Sequence, residues 1–233
     1  MTPPKTNHSA TIRCDLRSEI LGCSLRPGER LVISDLCDRF GVSLGAVREA
    51  LSALVGEGLV VAHPKRGFHV VGMSLRELHE LTEARVQVEA ACLRLSVARG
   101  DLDWEARVTG ALYKLNATPR KDPGHGHSMS EAWSQAHREF HEALVAACAN
   151  NVLLGVRVQL YETTERYRRL SVPAESTDRD VAAEHCALAQ AALARDSELV
   201  SVLIAVHLQK TAGILSMAVA PKLASGNVDQ ARA

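Results

Sequence analysis

The chain has 233 residues, with 27 Lys+Arg against 27 Asp+Glu, 46% apolar residues and only 3% aromatics. That is enough length for one large domain or two small ones with true cores, and the composition excludes a disordered or fibrous chain. Zero net charge excludes a uniformly basic nucleic-acid coat but allows a local basic face; no run approaches 18 consecutive apolar residues and 1–9 lacks the apolar core of a signal peptide, so neither a membrane span nor secretion is expected.

In chain order, residues 11–23 read as a helix, followed by a turn over Leu25–Leu31. Ser34 is placed to cap a short helix, Asp35–Phe40. Gly41-Val42-Ser43 is a tight turn, with Gly41 suited to a left-handed backbone and Ser43 to the next N-cap. Leu44–Glu57 is a second helix, ended by Gly58. Two helices joined by three residues, the first of them short, make a helix-turn-helix pattern. Residues 59–62 and 68–71 then read as a β-hairpin with a basic tip, His63-Pro64-Lys65-Arg66-Gly67. Residues 1–72 carry a net charge of +2 and the rest −2, the sign expected of a DNA-binding head on a neutral body.

After Gly72 the pattern is helical. Ser74 and Glu77 form a capping box before an apolar stripe of Leu75, Leu78, Leu81, Val88, Ala91, Leu95 and Ala98. Further helices are expected over 103–117, 130–149 and 152–170, then an antiparallel pair, 178–195 and 198–219, around Asp196-Ser197. Six helices in one body pack most naturally as an all-α bundle. The expected division is a winged helix-turn-helix domain over 1–72, a helical domain over 73–220 and a fraying tail over 221–233. Thr118–Ser128 is a loop in which His125 and His127 read as solvated. Cys14, Cys23, Cys37, Cys92, Cys148 and Cys186 show no CxxC pairing and read as mostly buried, reduced thiols.

Two groups of residues carry chemistry. Arg48 lies one turn into the second helix of the head, where an arginine can reach a guanine edge or a phosphate. Ser43 and the free N–H groups beside it can hold a phosphate, and Lys65 and Arg66 sit on the hairpin tip. The alternative is that Arg48 pairs with Glu49 or Glu57 on a solvated face. In the body, His137 and His141 are i,i+4 on one helix, so their rings can share an ion. His185 lies 11 residues before Asp196 and His207 10 after Ser197. On antiparallel helices these two stand at one height, so three helices can deliver four imidazoles to one layer. Imidazole suits zinc, nickel, copper or iron. The alternative here is that the histidines are solvated or internally hydrogen-bonded. Glu184, Glu142 and Arg85 are candidates for a surrounding shell. Counting back from the Asn150 turn puts Gln159, Glu162 and Thr163 at the level of His141, with Arg166 and Arg168 further along as surface pairs.

The string from Arg30-Leu31 through Asp35-Leu36-Cys37-Asp38-Arg39-Phe40-Gly41-Val42-Ser43 to Val47-Arg48-Glu49-Ala50-Leu51 and Glu57-Gly58-Leu59, followed by the wing, resembles the DNA-binding domain of GntR-family bacterial repressors. The likeness covers 11–71. It implies a cytoplasmic bacterial winged-helix homodimer on palindromic double-stranded DNA, with Arg30, Ser43, Arg48 and Gly67 at DNA-contact positions. Where the family usually has Arg and then Thr-Pro after the turn serine, this chain has Leu44, Gly45 and Ala46, so one customary base-reading arginine is absent. Leu44 and Gly45 join Lys65 and Arg66 as candidate contacts.

Residues 76–210 resemble the FCD ligand-binding domain of the FadR-type branch. The matching strings are Leu78 with Glu83-Ala84-Arg85 and Glu89, then His137-Arg138-Glu139-Phe140-His141-Glu142, Asn150-Asn151-Val152-Leu153-Leu154, Glu184-His185, Arg195-Asp196 and His207-Leu208. The resemblance implies a divalent metal under a pocket for small organic acids, with His141, His185 and His207 as the histidine ligands. His137 stands where the family has Asp. Four neutral ligands leave the ion its full charge and favour zinc, or nickel, over manganese; alternatively His137 contacts the effector. Arg85 matches a position suited to clamping a carboxylate, with Gln159, Glu162 and Thr163 as further effector contacts. Residues 100–117, with Trp104, are also similar to carbon-starvation-type repressors that sense a small dicarboxylate. The expected function is a repressor switched by a mono- or dicarboxylate; the competing one is a metal-dependent hydrolase on the polyhistidine site, against which no HExxH or other paired base is visible.

Overall fold

The computed structural model describes residues 8–120, 130–170 and 179–230. The loop containing His125 and His127 lies outside them. The chain divides into two compact units, Met1–Ser74 and Leu75–Ala233.

The first unit holds α1 (His8–Leu21), β1 (Arg30–Leu31), α2 (Ile33–Phe40), α3 (Leu44–Gly56), β2 (Val60–His63) and β3 (Gly67–Val70). Ile12, Leu16 and Ile20 recur every fourth residue of α1, so they share a face and pack with Val47, Leu51 and Leu54 of α3 in one buried cluster. Gly41 ends α2 with φ 63°, donating its N–H to the Cys37 carbonyl. Ser43 then caps α3, its hydroxyl accepting from the Ala46 N–H. The structure differs from the sequence reading at two points. Val32, not Ser34, occupies the N-cap position of α2, and the Ser34 hydroxyl donates instead to Asp35 Oδ1 at 3.1 Å. The stretch read as a turn over 25–31 ends in β1, which pairs antiparallel with β3, Arg30 opposite His69 and Leu31 opposite Phe68. The hairpin thus becomes a three-stranded sheet of order β1-β3-β2, held because Leu31 is buried.

The second unit is all helical: α4 (Leu75–Arg99), α5 (Leu102–Ala117), α6 (Glu131–Leu144), α7 (Asn151–Leu170), α8 (Val181–Leu193) and α9 (Ser197–Gln230). Side-chain caps sit at five starts: Asp101, Ser130, Asp180 and Asp196 accept from the third residue on, and Asn150 Oδ1 accepts from the Leu153 N–H. α6 stops at Leu144, five residues short of expectation. Cys148 and Ala149 turn the chain, Ala149 at φ 50°, with Arg99 donating to the Cys148 carbonyl. The stripe expected on α4 also shifts in phase. Leu75 and Ala98 are exposed, whereas the buried face runs through Leu78, Thr82, Arg85, Glu89, Leu93 and Ser96. A helix packed on α7, α8 and α9 can bury polar groups where its neighbours supply partners, and apolar counting alone overlooks such positions. α9 continues as helix through Pro221 to Gln230, where a frayed tail was expected.

All six cysteines are free, but only Cys92 and Cys148 are fully buried. Trp104 anchors the bundle core, its indole N–H donating to the Ala143 carbonyl at 3.0 Å. Its ring lies under Arg195 and against Gly100, where an added Cβ would stand 2.6 Å from Cδ2. Gly100→Ala is expected to destabilise the body by about 1–3 kcal/mol through overpacking, read as a lower urea midpoint at unchanged m-value.

Candidate functional site

On the first unit, Arg30, Ser43, Leu44, Gly45, Arg48, Lys65, Arg66 and Gly67 are all exposed. The alternative partnership for Arg48 does not form. Glu57 is held by Arg13 and Arg17 of α1, at 3.6 and 2.9 Å, and Arg48 has no ion pair among the described residues. Arg39 is likewise spent, donating to Glu19, with its Nη1 at 2.9 Å. The free cations of this unit therefore include one on α3 and two on the wing, with Leu44 left 53% exposed at the start of α3. The tip is shaped by a turn in which the Arg66 N–H bonds the His63 carbonyl at 3.1 Å, with Lys65 at φ 64° and Gly67 at φ 82°.

In the second unit His137 and His141 of α6, His185 of α8 and His207 of α9 come together. One ring nitrogen from each lies within 4.8 Å of the others, and all four residues are buried. Ring centroids are 4.6 Å apart for His137–His141 and 5.0 Å for His185–His207. Trp133 stacks on His137 at 4.9 Å and Phe140 stands edge-on to His141 and His185, so aromatic walls fix three rings. His207 is oriented by hydrogen bonding. Its Nδ1 lies 2.8 Å from Glu184 Oε2, which directs the opposite edge of the ring inward. Arg179 grips the same carboxylate, Nη2 to Oε2 at 2.6 Å and Nε to Oε1 at 3.0 Å, and donates to the His207 carbonyl at 3.0 Å. Lys210 adds a contact at 3.2 Å. Buried ring nitrogens without a partner remain on His137 (Nδ1), His141 (Nε2) and His185 (Nε2). Such orphaned acceptors at one point suit a borderline cation. Tetrahedral ligands at about 2.1 Å from an ion stand about 3.4 Å apart, so nitrogens that all lie within 4.8 Å of one another need only a small inward movement to share one.

The site holds its imidazoles neutral. Burial pushes His137 and His141 well below the ordinary value and His185 down to about 3, with neighbouring histidines and arginines adding to the shift. For His207 burial again lowers the value, against an opposing hydrogen bond from Glu184. Burial pushes the Glu184 carboxyl up, but hydrogen bonds from His207 and Arg179 outweigh it and hold the group far below the carboxylate range. The unfolded chain then binds more protons than the folded one between about pH 3 and 6.5. Stability of the metal-free protein is accordingly full above 6.5 and falls with acidity, by up to about 1.4 kcal/mol per pH unit for each such histidine. Melting temperature measured after chelation is expected to drop steeply from pH 6.5 to 5, and a flat profile over that range would contradict neutral burial.

Beside the histidines lies a buried ionic cluster. Arg157 Nε donates to Glu89 Oε2 at 2.8 Å and Arg85 Nε lies 3.5 Å from Glu89 Oε1. Arg85 also stacks 4.9 Å over Tyr161. Arg85 Nε, Arg157 Nη2 and the Tyr161 hydroxyl are buried without hydrogen-bond partners. Sequence reasoning found Arg85, held Glu89 only as part of the family likeness with no role, and missed Arg157, Tyr161 and Arg179. The candidates it named on α7 sit out of phase: Gln159 is exposed, and Glu162 and Thr163 are half-buried, with the Thr163 hydroxyl turned to the Gln159 carbonyl. Height along the helix was right for them, but each residue turns the side chain by 100°, and the buried positions are Arg157, Tyr161 and Thr164. Arg166, expected at the surface, is buried, and Arg168 is half-buried in a two-point pair with Glu165. Glu142 is exposed and takes no part in the shell, whereas Glu184 does.

Residues 8–70 match the family described as bacterial regulatory proteins, gntR family, and 80–210 match the FCD domain. The chain is 41% identical over 203 residues to an uncharacterized HTH-type transcriptional regulator, BphR, of Paraburkholderia xenovorans, covering 86% of this chain and 82% of that one. It is 34% identical over 209 residues to the HTH-type transcriptional repressor GlaR of Escherichia coli, covering 88% and 94%. Among solved structures, E. coli McbR/YncC has the same fold, with a TM-score of 0.72 at 24% identity over 90% of this chain and 97% of that one. These are transcriptional regulators rather than enzymes, which removes the hydrolase reading. With a winged helix-turn-helix head that exposes its arginines and a helical body that gathers its histidines, this chain is a DNA-binding transcriptional regulator of the GntR family with an FCD domain.

Proposed function

We propose that this regulator is a repressor released from a palindromic operator by a small carboxylate, bound in the FCD domain over a divalent metal. FCD domains often bind metal, and GntR regulators typically act as dimers on operators. The observation that carries the reading is the four-histidine cluster beside Arg85 and Arg157, whose unpartnered N–H groups leave an anion's place open. Arg85 and Arg157 share the single buried carboxylate of Glu89, so this corner of the interior favours a negative guest. His137, His141, His185 and His207 would hold the ion, zinc before nickel, because imidazole alone suits borderline cations. When bound, the ion supplies an uncompensated double charge for the carboxylate. Effector contacts fall to Arg85, Arg157 and Tyr161, with Glu162 and Thr163 at the margin. A guest that favours one helical arrangement over another shifts operator affinity by that difference in binding.

On the DNA, Arg48 reads a base edge, and Arg30, Ser43, Gly45, Lys65, Arg66 and Gly67 position the backbone. Leu44 takes the place of the customary arginine and suits contact with a thymine methyl group. Arg48→Ala is expected to weaken operator binding by about 10–100-fold with the melting temperature unchanged. Elemental analysis of the purified protein and a thermal-shift screen of C4 to C6 mono- and dicarboxylates test the body, since a ligand of the folded state stabilises it by RT ln(1+[L]/Kd) and so raises its melting temperature. Operator affinity that is identical with and without every acid that binds would overturn the switch.

A further inference from the structure

α9 carries a feature that neither the histidine centre nor the DNA head accounts for. Its segment Ser197–Ala220 has a mean hydropathy of 1.5 and, by length and composition, is apolar enough to cross a membrane, yet only 28% of that window is buried. Val200, Ile204, Leu208, Leu215 and Val219 face the core. On the opposite side the exposed positions Leu199, Val202, Val206, Gln209, Gly213 and Met217 recur at steps of three and four, the spacing of a coiled-coil seam. Leu199, Val202, Val206 and Met217 are 46%, 59%, 40% and 72% exposed. Along this stripe the one charge, Lys210, is folded back onto Glu184 of α8, and Gly213 lets another backbone approach. The seam stands as a ridge between two clefts. One, of about 640 Å³, runs along α8 past Ala183, Ala187 and Ile214. The other, of about 720 Å³, runs along α4 past Leu78, Thr82 and Ala212.

We infer that the outer face of α9 is the surface on which a second copy of this chain docks, ridge against ridge, with flanking side chains entering the two clefts. Three observations favour a copy over any other occupant. The stripe is self-complementary, being mostly apolar with its flanking Lys210 drawn to Glu184, so two identical stripes meet with little repulsion. The seam from Leu199 to Met217 is roughly 27 Å long at 1.5 Å per residue, and with its clefts offers on the order of 800 Å², the area each partner gives to a standard interface. GntR regulators typically act as dimers, so a copy is the partner always at hand. The placement also has a consequence for the metal centre. His207 and Glu184 line the α8 cleft, so a docked copy covers the outer side of the network that orients a metal ligand.

Sedimentation of the full chain tests this. The wild type is expected to be a dimer at micromolar concentration, and Val202→Glu with Val206→Glu is expected to raise the dimer dissociation constant at least about 100-fold, since each change counts twice across a two-fold axis. Val152→Glu, at a 78% exposed position on α7, should leave it unchanged. The milder pair Val202→Ser and Val206→Ser, on side chains that support no core, should weaken association about tenfold with an unaltered melting curve of the monomer. Dimerisation unaffected by both pairs, or lost with Val152→Glu instead, overturns the assignment. So does partition of the wild-type protein onto neutral phosphatidylcholine vesicles, which would make the occupant lipid.

Discussion

Replacing His141 with alanine is expected to cut metal affinity by about two to three orders of magnitude and to abolish the melting shift that added zinc gives the wild type. Apparent binding energies of structural zinc sites are about 10–16 kcal/mol, so one ligand of four carries about 2.5–4. His141 is the strongest choice of the four because it is 2% exposed, lies within ring contact of the other three, and has an unpartnered Nε2. His137→Ala separates the two roles open to that residue. If His137 is a ligand, its loss resembles the His141 variant; if it contacts the effector, metal affinity stays and carboxylate affinity falls. Competition against a chromophoric chelator measures both. Wild-type affinity in His141→Ala would remove the metal centre from the account.

The second large effect is expected at Glu89. This carboxylate is 1% exposed and sits between Arg85 and Arg157, themselves 5% and 3% exposed. Neither cation is fully hydrogen-bonded in the structure, so their charge rests on Glu89. Glu89→Ala strands two buried guanidinium groups and is expected to destabilise the body by about 3–5 kcal/mol, roughly 10 °C or more in melting temperature for a unit of this size. Glu89→Met combined with Arg157→Met, which removes both ends of the pair, should recover much of that loss. A small carboxylate added in excess should also stabilise Glu89→Ala more than the wild type, because the guest then meets uncompensated cations. A variant within about 1 kcal/mol of the wild type would mean that water reaches the pair.

Much of this was readable in advance, for reasons that differ by region. The turn of the head is specified by local backbone chemistry: Gly41 needs the left-handed region and Ser43 offers an oxygen to α3, and both are visible in three letters of sequence. The histidine layer was readable because i,i+4 spacing and equal distances from a turn are simple geometry, and four rings converge in this way whenever the helices that carry them are straight and antiparallel. The buried polar face of α7 was not readable. Placing residues on α7 required its rotation about its own axis, which is set by packing against α4, and that rotation buries Arg157 and Tyr161 while leaving Gln159 exposed. Glu89 belongs to the string that resembles the FCD domain, but its partner was not readable, since a carboxylate on an amphipathic helix reads as solvated until the arginine 68 residues away is placed beside it. The two-residue strand Arg30–Leu31 is too short for any periodicity and exists only through its pairing with β3.

Lys65 adds a last consequence. A lysine at φ 64° gives up roughly 1 kcal/mol that a glycine would keep, and the tight turn after Pro64 enforces it. The turn thus fixes the backbone of the tip in the free protein, and if the wing contacts the duplex as proposed, little configurational freedom is left there to lose. Lys65→Gly is expected to relieve that strain in the isolated protein while removing a cation from the proposed DNA-contacting wing, so firmer folding and poorer recognition would arrive together in a single substitution.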